Sequence, residues 1–194
     1  MTSKPAETRQ PIHELMRERW SPRAFAQQAV SEAELVSILE AARWAPSCFN
    51  EQPWRLLVGV HPDPVWQKIF GSLDEFNRNW CLRVSTLVVI CAKKTFTHNG
   101  KENFHGGYDC GQAAMSMALQ AQALGWITHQ MAGFSWQKIK SEFELGDDLH
   151  PMAVMALGKP GPDDYLPENL RAGEAKPRSR RPLAEIVLAS TLTI

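Results

Sequence analysis

The sequence has no excess of either charge sign, because its 21 Lys and Arg residues balance 21 Asp and Glu residues. A chain without net charge has no overall field that favours a nucleic acid or an anionic membrane. We therefore expect neither partner, and we expect any anionic ligand to be held by a local cluster of basic residues.

The sequence also lacks paired cysteines and long hydrophobic runs. Its four cysteines form no CxxC pair, which argues against a zinc site and against a disulfide framework. The longest apolar run, about residues 86–92, is far shorter than the ~20 residues that span a bilayer. The first ten residues are polar and have no signal-peptide core. We expect a cytoplasmic protein without a metal site.

Hydrophobic patterns predict strands and helices that follow one another along the chain. The predicted strands cover residues 55–60, 87–91, 126–130 and 151–157. The predicted helices cover residues 12–20, 31–45, 64–83 in two pieces, 108–124 and 135–143. This order is not a regular βαβ series, and no GxGxxG follows a strand, so a dinucleotide-binding fold is not expected. A mixed α+β sandwich fits better.

The segments outside these elements predict a single domain, residues 1–194, with loose ends. Residues 1–10 are predicted to be a flexible tail, and residues 93–107 a mobile loop near a ligand. Residues 158–194 begin rich in Pro and charge and end apolar, which suggests an arm that packs on a partner subunit. The helix at 108–124 is apolar on more than one side, which indicates burial at the fold centre or at a subunit contact.

Two clusters of arginine stand far apart in the sequence. Arg19, Ser21 and Arg23 lie on a turn after the first helix, and Arg178 and Arg180 lie in the basic segment 178–182. Guanidinium groups bind phosphate with paired hydrogen bonds, and a monoester phosphate carries about −1.5 to −2 charges at neutral pH. Either cluster alone is ordinary, but together they predict a phosphate site.

Residues 45–54 form a loop dense in amide and hydroxyl groups, between a helix and a strand. Asn50 and Gln52 present both donors and acceptors, which suits the ring or ribityl chain of a flavin. Trp54 is expected in the core. Cys48 has no basic partner nearby in the sequence, so we expect an inert thiol beside a cofactor.

These motifs resemble the nitroreductase family. The pattern Arg-x-Ser-x-Arg followed by Phe is matched from Arg19 to Phe25, and Ala-Pro-Ser-x-x-Asn-x-Gln-Pro-Trp is matched at every fixed position of residues 45–54. Agreement extends to residues 77–80, to Gly125, to residues 131–133 and to residues 157–160. The resemblance covers about residues 12–188. It implies a three-layer α/β/α sandwich with a mostly antiparallel central sheet, assembled as an intertwined homodimer.

The resemblance implies FMN bound between the two subunits. One subunit is expected to hold the phosphate and ribityl chain through Arg19, Trp20, Ser21, Arg23, Arg178 and Arg180. Asn77 is expected to hydrogen-bond the polar end of the flavin. The partner subunit is expected to contribute Pro46, Ser47, Cys48, Asn50 and Gln52.

Met131, Ala132 and Gly133 are expected near flavin N5, where a backbone N–H can bind the reactive atom. Ala132 stands where related enzymes often have an acid, so a main-chain role is expected there. The resemblance implies that FMN takes a hydride from NADH or NADPH and passes it to a nitroaromatic, a quinone or a similar acceptor, with ping-pong kinetics. No catalytic side chain is then required. His105 and His129 are candidate bases, but a lone histidine is more often structural.

Three alternatives remain open at this point. An FMN protein of the same fold can reduce an enone, a halogenated aromatic or free flavin instead. It can also bind FMN without turnover if a loop blocks the flavin face. A nucleic-acid module is poorly supported, because the aromatic residues do not interleave with the basic ones.

Overall fold

The computed structural model describes residues 4–191, so residues 1–3 of the expected tail and 192–194 of the expected arm lie outside the described residues. The helices of the described part are α1 (Glu14–Glu18), α2 (Glu32–Arg43), α3 (Pro64–Ser72), α4 (Glu75–Cys81), α5 (Gly106–Ala123), α6 (Trp136–Glu142), α7 (Glu168–Ala175) and α8 (Leu183–Ile186). The strands are β1 (Trp54–Val60), β2 (Thr86–Lys93), β3 (Ile127–Met131) and β4 (Leu149–Gly158).

The four strands form one sheet in the order β1-β2-β4-β3, and every neighbouring pair is antiparallel. Strand β2 lies inside the sheet and is buried from Thr86 to Ala92. A strand covered on both faces needs apolar residues at successive positions, which explains the longest apolar run of the sequence. The expected antiparallel sheet is confirmed.

Helices cover both faces of the sheet and create two cores. On one face, α2 and α5 pack against β2 and β4 around Ile38, Met117 and Trp126. On the other face, the core forms around Ile69, Trp80 and other residues of α3, α4, α6 and α7. Each fully buried large apolar side chain stabilises the fold by about 1.5–3 kcal/mol. The layers are those of the expected α/β/α sandwich.

Local sequence signals determine where the main helices begin and end. Ser31 accepts a hydrogen bond from the Glu34 N–H, and the Glu34 side chain accepts one from Ser31 N–H in return, which is the capping box predicted for α2. Ser135 caps α6 through the Lys138 N–H. Gly125 follows α5 with φ of 72°, a conformation that glycine adopts without strain.

Parts of the expected tail and of the expected arm contact the rest of the chain. Ala6 N–H donates to the carbonyl oxygen of Arg17 at 2.8 Å, so this part of the expected tail is anchored. The first half of the expected arm packs on its own chain, because Leu166 and Leu170 are buried in the core. What remains available to a partner is the exposed segment after Ala175.

The outer face of α5 leaves apolar side chains uncovered in the single chain. Tyr108 is 72% exposed, Met115 is 39% exposed, and Phe104 just before the helix is 87% exposed. A search of the described helices finds none that is both long enough and apolar enough to cross a bilayer.

Candidate functional site

The fold brings the two arginine clusters together. Arg19 lies directly after α1, and burial together with the charges of Arg178 and Arg180 lowers the pKa of its guanidinium. Burial and Arg180 also lower the pKa of Arg178, although Glu18 opposes this shift. Within residues 4–191, no ion pair joins any of these three arginines to a carboxylate. The result is a local concentration of positive charge in a chain of zero net charge.

The three arginines of this cluster differ in the hydrogen bonds that they already make within the chain. Arg178 Nη1 donates to the carbonyl oxygens of Lys4 at 2.9 Å and Arg17 at 2.7 Å, so it is fixed in place by the backbone. Arg19 Nη1 makes a long contact of 3.4 Å with the hydroxyl of Ser21. Arg180 is exposed and donates to its neighbour's carbonyl oxygen. Several N–H groups therefore remain for an anion.

Arg23 lies in a different environment from the other arginines. Its Nη1 is 3.8 Å from Glu174 Oε1, and its backbone N–H donates to Glu174 Oε2 at 3.1 Å. Its guanidinium carbon lies 5.8 Å from the ring centre of Phe76 and 5.9 Å from that of Trp80. Its Nε is buried without a hydrogen-bond partner in the described residues. Arg23 thus carries an unsatisfied donor but has a carboxylate partner.

Trp20, between Arg19 and Ser21, is half-buried and lies under the ammonium group of Lys4, which is 4.4 Å from its ring centre. The same ammonium group donates to the carbonyl oxygen of Glu174. The side chain of Trp20 is therefore engaged with the N-terminal segment.

A chain of side-chain contacts leads from the arginine turn to the loop after β3. His129 Nδ1 lies 2.9 Å from the carbonyl oxygen of Ser21, and the His129 ring is 4.8 Å from the ring of Trp80. Trp80 Nε1 donates to Asn77 Oδ1 at 3.1 Å, and Asn77 Nδ2 donates to the carbonyl oxygen of Gly133 at 3.0 Å. The turn, helix α4 and the 131–133 loop therefore form one continuous region.

His129 has a structural role rather than that of a base. Burial and the charge of Arg23 together lower its pKa to about 4, against the raising effect of the hydrogen bonds to Pro22 and Ser21. The neutral ring donates its Nδ1 proton to these carbonyl oxygens. His105, the other candidate base, is exposed and directly precedes α5.

The loop of Met131, Ala132 and Gly133 presents backbone N–H groups. Ala132 is exposed and its carbonyl oxygen accepts from Phe134 N–H at 3.1 Å. In the described part of the chain, the N–H groups of Ala132 and Gly133 have no hydrogen-bond acceptor. A Cβ at position 133 would overlap Asp74 Oδ2 and lie 2.6 Å from Asn77 Nδ2, so any side chain there would displace these two groups.

The loop of residues 46–52 is stabilised by hydrogen bonds within it and by one hydrogen bond to α5. Ser47 Oγ accepts from Gln52 N–H at 2.9 Å, and Gln52 Nε2 donates to the carbonyl oxygen of Asn50 at 3.0 Å. Cys48 N–H donates to the buried carboxylate of Asp109 at 3.0 Å. Pro46 is exposed and Cys48 is half-buried.

This loop also has an unusual backbone. Phe49, Asn50 and Gln52 have φ of 51°, 56° and 51°, a region that costs free energy for residues other than glycine. Phe49 is nevertheless 84% exposed, so burial of its side chain does not explain the conformation. Strain of this kind is concentrated at functional sites.

The sheet separates the predicted site residues into two groups within one chain. Trp54 follows the 46–52 loop and begins edge strand β1, whereas Met131 ends the opposite edge strand β3. Trp54 aligns through Ala92 with His150 near the start of β4, whereas Met131 aligns with Val154 near its middle, so the two residues are also offset along the strands. Three strand spacings of about 4.8 Å put the two edges roughly 14 Å apart. The 46–52 loop therefore does not join the other predicted residues in a single chain.

Comparison with known proteins agrees with these features. The profile of the nitroreductase family matches residues 16–79. A Streptomyces coelicolor protein named as an NADH dehydrogenase/NAD(P)H nitroreductase is 30% identical over 162 residues, which cover 73% of this chain and 80% of that protein. The chain belongs to the nitroreductase family.

Other family relatives extend the similarity. The major NAD(P)H-flavin oxidoreductase of Aliivibrio fischeri is 27% identical over 82% of this chain and 77% of its own. A crystal structure described as an oxidoreductase containing FMN is 32% identical, has a TM-score of 0.91, and covers 100% of this chain and 98% of its own. A nitroreductase structure from Desulfovibrio desulfuricans in complex with FMN is 25% identical, with a TM-score of 0.74 and coverage of 96% and 100%.

Sequence reasoning missed three residues of this nitroreductase-family site. Trp80 was seen only as part of a motif, although it joins His129 to Asn77. Asp74 and Asp109 were not singled out at all, although their carboxylates contact the 131–133 and 46–52 loops. The spacing from Asp74 to Asn77 is that of a helix N-cap, and this signal could have identified the first of the two.

Proposed function

We propose that the protein is an FMN-dependent NAD(P)H oxidoreductase that works as a homodimer. The observation that carries the proposal is the convergence of Arg19, Arg178 and Arg180, in which burial and neighbouring positive charges lower the pKa of Arg19 and of Arg178, even though Glu18 partly offsets them at Arg178. Bringing like charges together is unfavourable unless an anion offsets them, and a phosphate monoester supplies the required charge. FMN carries such a phosphate, as do the FMN-containing structures that this chain resembles.

The phosphate end of FMN is assigned to one subunit. Arg19, Arg178 and Arg180 bind the phosphate oxygens, and Ser21 adds a neutral hydroxyl donor. Arg23 and the backbone at Trp20 lie along the ribityl chain, where the unsatisfied Nε of Arg23 has a hydroxyl to donate to. These donors fit a ligand with a dianionic end and a polyhydroxyl chain.

The ring end of FMN is assigned to the 131–133 loop. The N–H groups of Ala132 and Gly133 lack acceptors in the described residues, so one of them can donate to flavin N5. Asn77 holds Gly133 in place, and its second amide hydrogen remains for the ring. Met131, the first residue of this loop, is buried in the core.

The partner subunit supplies the second group of residues. Pro46, Ser47, Cys48, Asn50 and Gln52 lie too far from the 131–133 loop to share a ligand ring in one chain. A two-fold dimer brings the loop of one subunit to the other subunit's arginines. The exposed apolar face of α5 and the segment after Ala175 are the surfaces that we assign to this contact, with residues 1–194 as one domain per subunit.

The chain supplies position and electrostatics rather than a nucleophile or base. FMN held at this site would supply hydride transfer from NADH or NADPH to an acceptor, for which a nitroaromatic or a quinone is our proposal. NAD(P)H is oxidised to NAD(P)⁺ in the first half-reaction. In the second, the acceptor takes the hydride together with a proton from solvent. One open ring face serving both steps gives ping-pong kinetics.

The experiment is an anaerobic spectrum of the purified protein reconstituted with FMN. We expect flavin absorption bands, bleaching on addition of NADH or NADPH, and recovery when a quinone or nitroaromatic is added. Failure to take up FMN would overturn the cofactor assignment. FMN that binds but is not bleached by either nicotinamide would identify a flavin-binding protein without turnover.

The phosphate site has its own matched pair of variants. Arg180→Ala removes an arginine of the cluster, whereas Arg181→Ala removes an exposed arginine that pairs with Glu185. A charged hydrogen bond contributes about 1.5–3 kcal/mol, so Arg180→Ala should weaken FMN binding roughly ten- to hundredfold. Riboflavin, which lacks the phosphate, should bind both variants like the wild type. Equal losses of FMN affinity in the two variants would mean that the phosphate lies elsewhere.

A further inference from the structure

Asp74 places a carboxylate directly against the loop that we assign to the reactive end of FMN. Its Oδ1 accepts from Asn77 N–H at 2.7 Å, which caps α4. Its backbone N–H donates to the carbonyl oxygen of Gly133 at 3.0 Å. Its Oδ2 occupies the space that a Cβ of residue 133 would need. The carboxylate and the Gly133 main chain are therefore in contact.

The charge of Asp74 is not neutralised by an ion pair. Among the described residues, no Lys or Arg lies within ion-pair distance of its carboxylate. The two nearby arginines are engaged elsewhere: Arg78 Nη1 donates to the carbonyl oxygen of Leu73 at 2.8 Å, and Arg23 pairs with Glu174. The adjacent Glu75, which is exposed like Asp74, adds a second negative charge on the first turn of α4.

The negative charge of Asp74 also acts on Cys81, a buried residue beside the 131–133 loop. Burial raises the pKa of the Cys81 thiol, and the negative charge of Asp74 raises it further against the opposing charge of Arg23. Cys81 Sγ lies 3.7 Å from the sulfur of Met131, the first residue of the loop. The loop itself has no titratable side chain, because it consists of Met131, Ala132 and Gly133.

We propose that Asp74 tunes the reduction potential of the bound flavin by holding a negative charge beside the 131–133 loop. This inference rests on the proposed function, because it requires FMN with its ring at that loop. A hydride brings one negative charge to the ring, so a neighbouring carboxylate opposes its arrival and favours its departure. Asp74 is thus a tuning residue that acts through its field and without transferring a proton.

The test is the midpoint potential of FMN bound to Asp74→Asn. Asparagine is as good an N-cap as aspartate, so α4 keeps its cap while the charge is lost. Asp74→Ser provides a second neutral cap, and Asp74→Glu restores the charge. Glu75→Gln removes an equal charge from the next residue and is the matched control.

We expect the potential of Asp74→Asn and Asp74→Ser to shift positive relative to the wild type, and by more than that of Glu75→Gln. Asp74→Glu should remain near the wild type. Stopped-flow kinetics should show faster reduction by NAD(P)H and slower reoxidation by a quinone, each by roughly two- to tenfold. A purely structural role would not produce opposite changes in the two half-reactions.

Two results would overturn the proposal in distinguishable ways. If wild-type protein and variants bind FMN with the same potential, Asp74 has no tuning role, although the proposed function stands. If the wild type takes up no FMN, the proposed function fails and this inference fails with it.

Discussion

Asn77 Nδ2 donates a hydrogen bond of 3.0 Å to the carbonyl oxygen of Gly133, and this contact fixes helix α4 to the loop after the edge strand β3. Asn77 is itself held by Trp80 Nε1, which donates to its Oδ1. The side-chain amide of Asn77 therefore stabilises the contact between α4 and the loop, and binding the proposed cofactor is its second role. The expectation that Asn77 binds the flavin stays a prediction, with only one amide hydrogen left for it.

Replacing Asn77 with alanine should destabilise the fold. The change leaves Trp80 Nε1 buried without an acceptor and removes one donor from the Gly133 carbonyl oxygen. A buried group left without its partner costs about 1–3 kcal/mol. Denaturant unfolding of Asn77→Ala and of Asn79→Ala, an exposed change on the same helix, measures this cost. Equal free energies of unfolding for the two variants would show that the hydrogen bonds of Asn77 do not contribute to stability.

Replacing Gly133 with alanine should be costly for a different reason. The new Cβ would overlap Asp74 Oδ2 and crowd Asn77, so these side chains must give up their present hydrogen bonds or the loop must move. Overpacking of this kind costs about 1–3 kcal/mol, and the displaced loop should bind FMN more weakly. Gly146→Ala is the control, because a Cβ there meets nothing within 4 Å. We expect the control to match the wild type in thermal unfolding and FMN titration; a Gly133→Ala variant that matches it too would refute the steric argument.

The structural features that could be predicted from the sequence are those that depend on residues close to one another along the chain. The capping box at Ser31, the end of α5 at Gly125 and the apolar strand β2 each depend on a few neighbouring residues. Helix α7 was not predicted, because only Leu166 and Leu170 anchor it within a segment of prolines and charges. Short amphipathic signals of this kind are lost among loop residues.

The site was predictable in its residue types and less so in its contacts. The resemblance named Asn77 and Gly133, but their hydrogen bond joins residues far apart in the sequence and depends on how α4 meets β3. The conformation of Phe49, with positive φ on an exposed aromatic residue, has no local sequence signal. The pairing of Arg23 with Glu174 likewise depends on where α7 packs.

The half-buried ring of His129 should make stability depend on pH. Its pKa is lowered from 6.5 to about 4 in the folded chain, so between these values the unfolded chain binds a proton that the folded chain does not. Stability should therefore fall as the pH falls from 6.5 towards 4, by at most about 3 kcal/mol from this group.

The measurement is the denaturant midpoint of wild type and His129→Asn between pH 7 and pH 4. Asparagine keeps an N–H donor towards the carbonyl oxygens of Ser21 and Pro22 but does not titrate, so its pH slope should be smaller. His105→Asn, at an exposed position, should retain the wild-type slope. A His129→Asn slope equal to that of the wild type would show that His129 does not contribute to the pH dependence.

A flavin site built from two subunits is tested most directly with mixed dimers. One variant carries Arg19→Ala and Arg180→Ala; the other carries Ser47→Ala and Asn50→Gly, where glycine tolerates the φ of 56°. Each homodimer should lose most of its FMN.

In a mixed dimer, the shared-site arrangement leaves one site with both groups intact. Co-expressed and separately tagged subunits should therefore recover about half of the wild-type FMN per dimer, and NADH or NADPH should bleach that flavin. Mixed dimers that hold no more FMN than the two mutant homodimers would contradict a site shared between subunits.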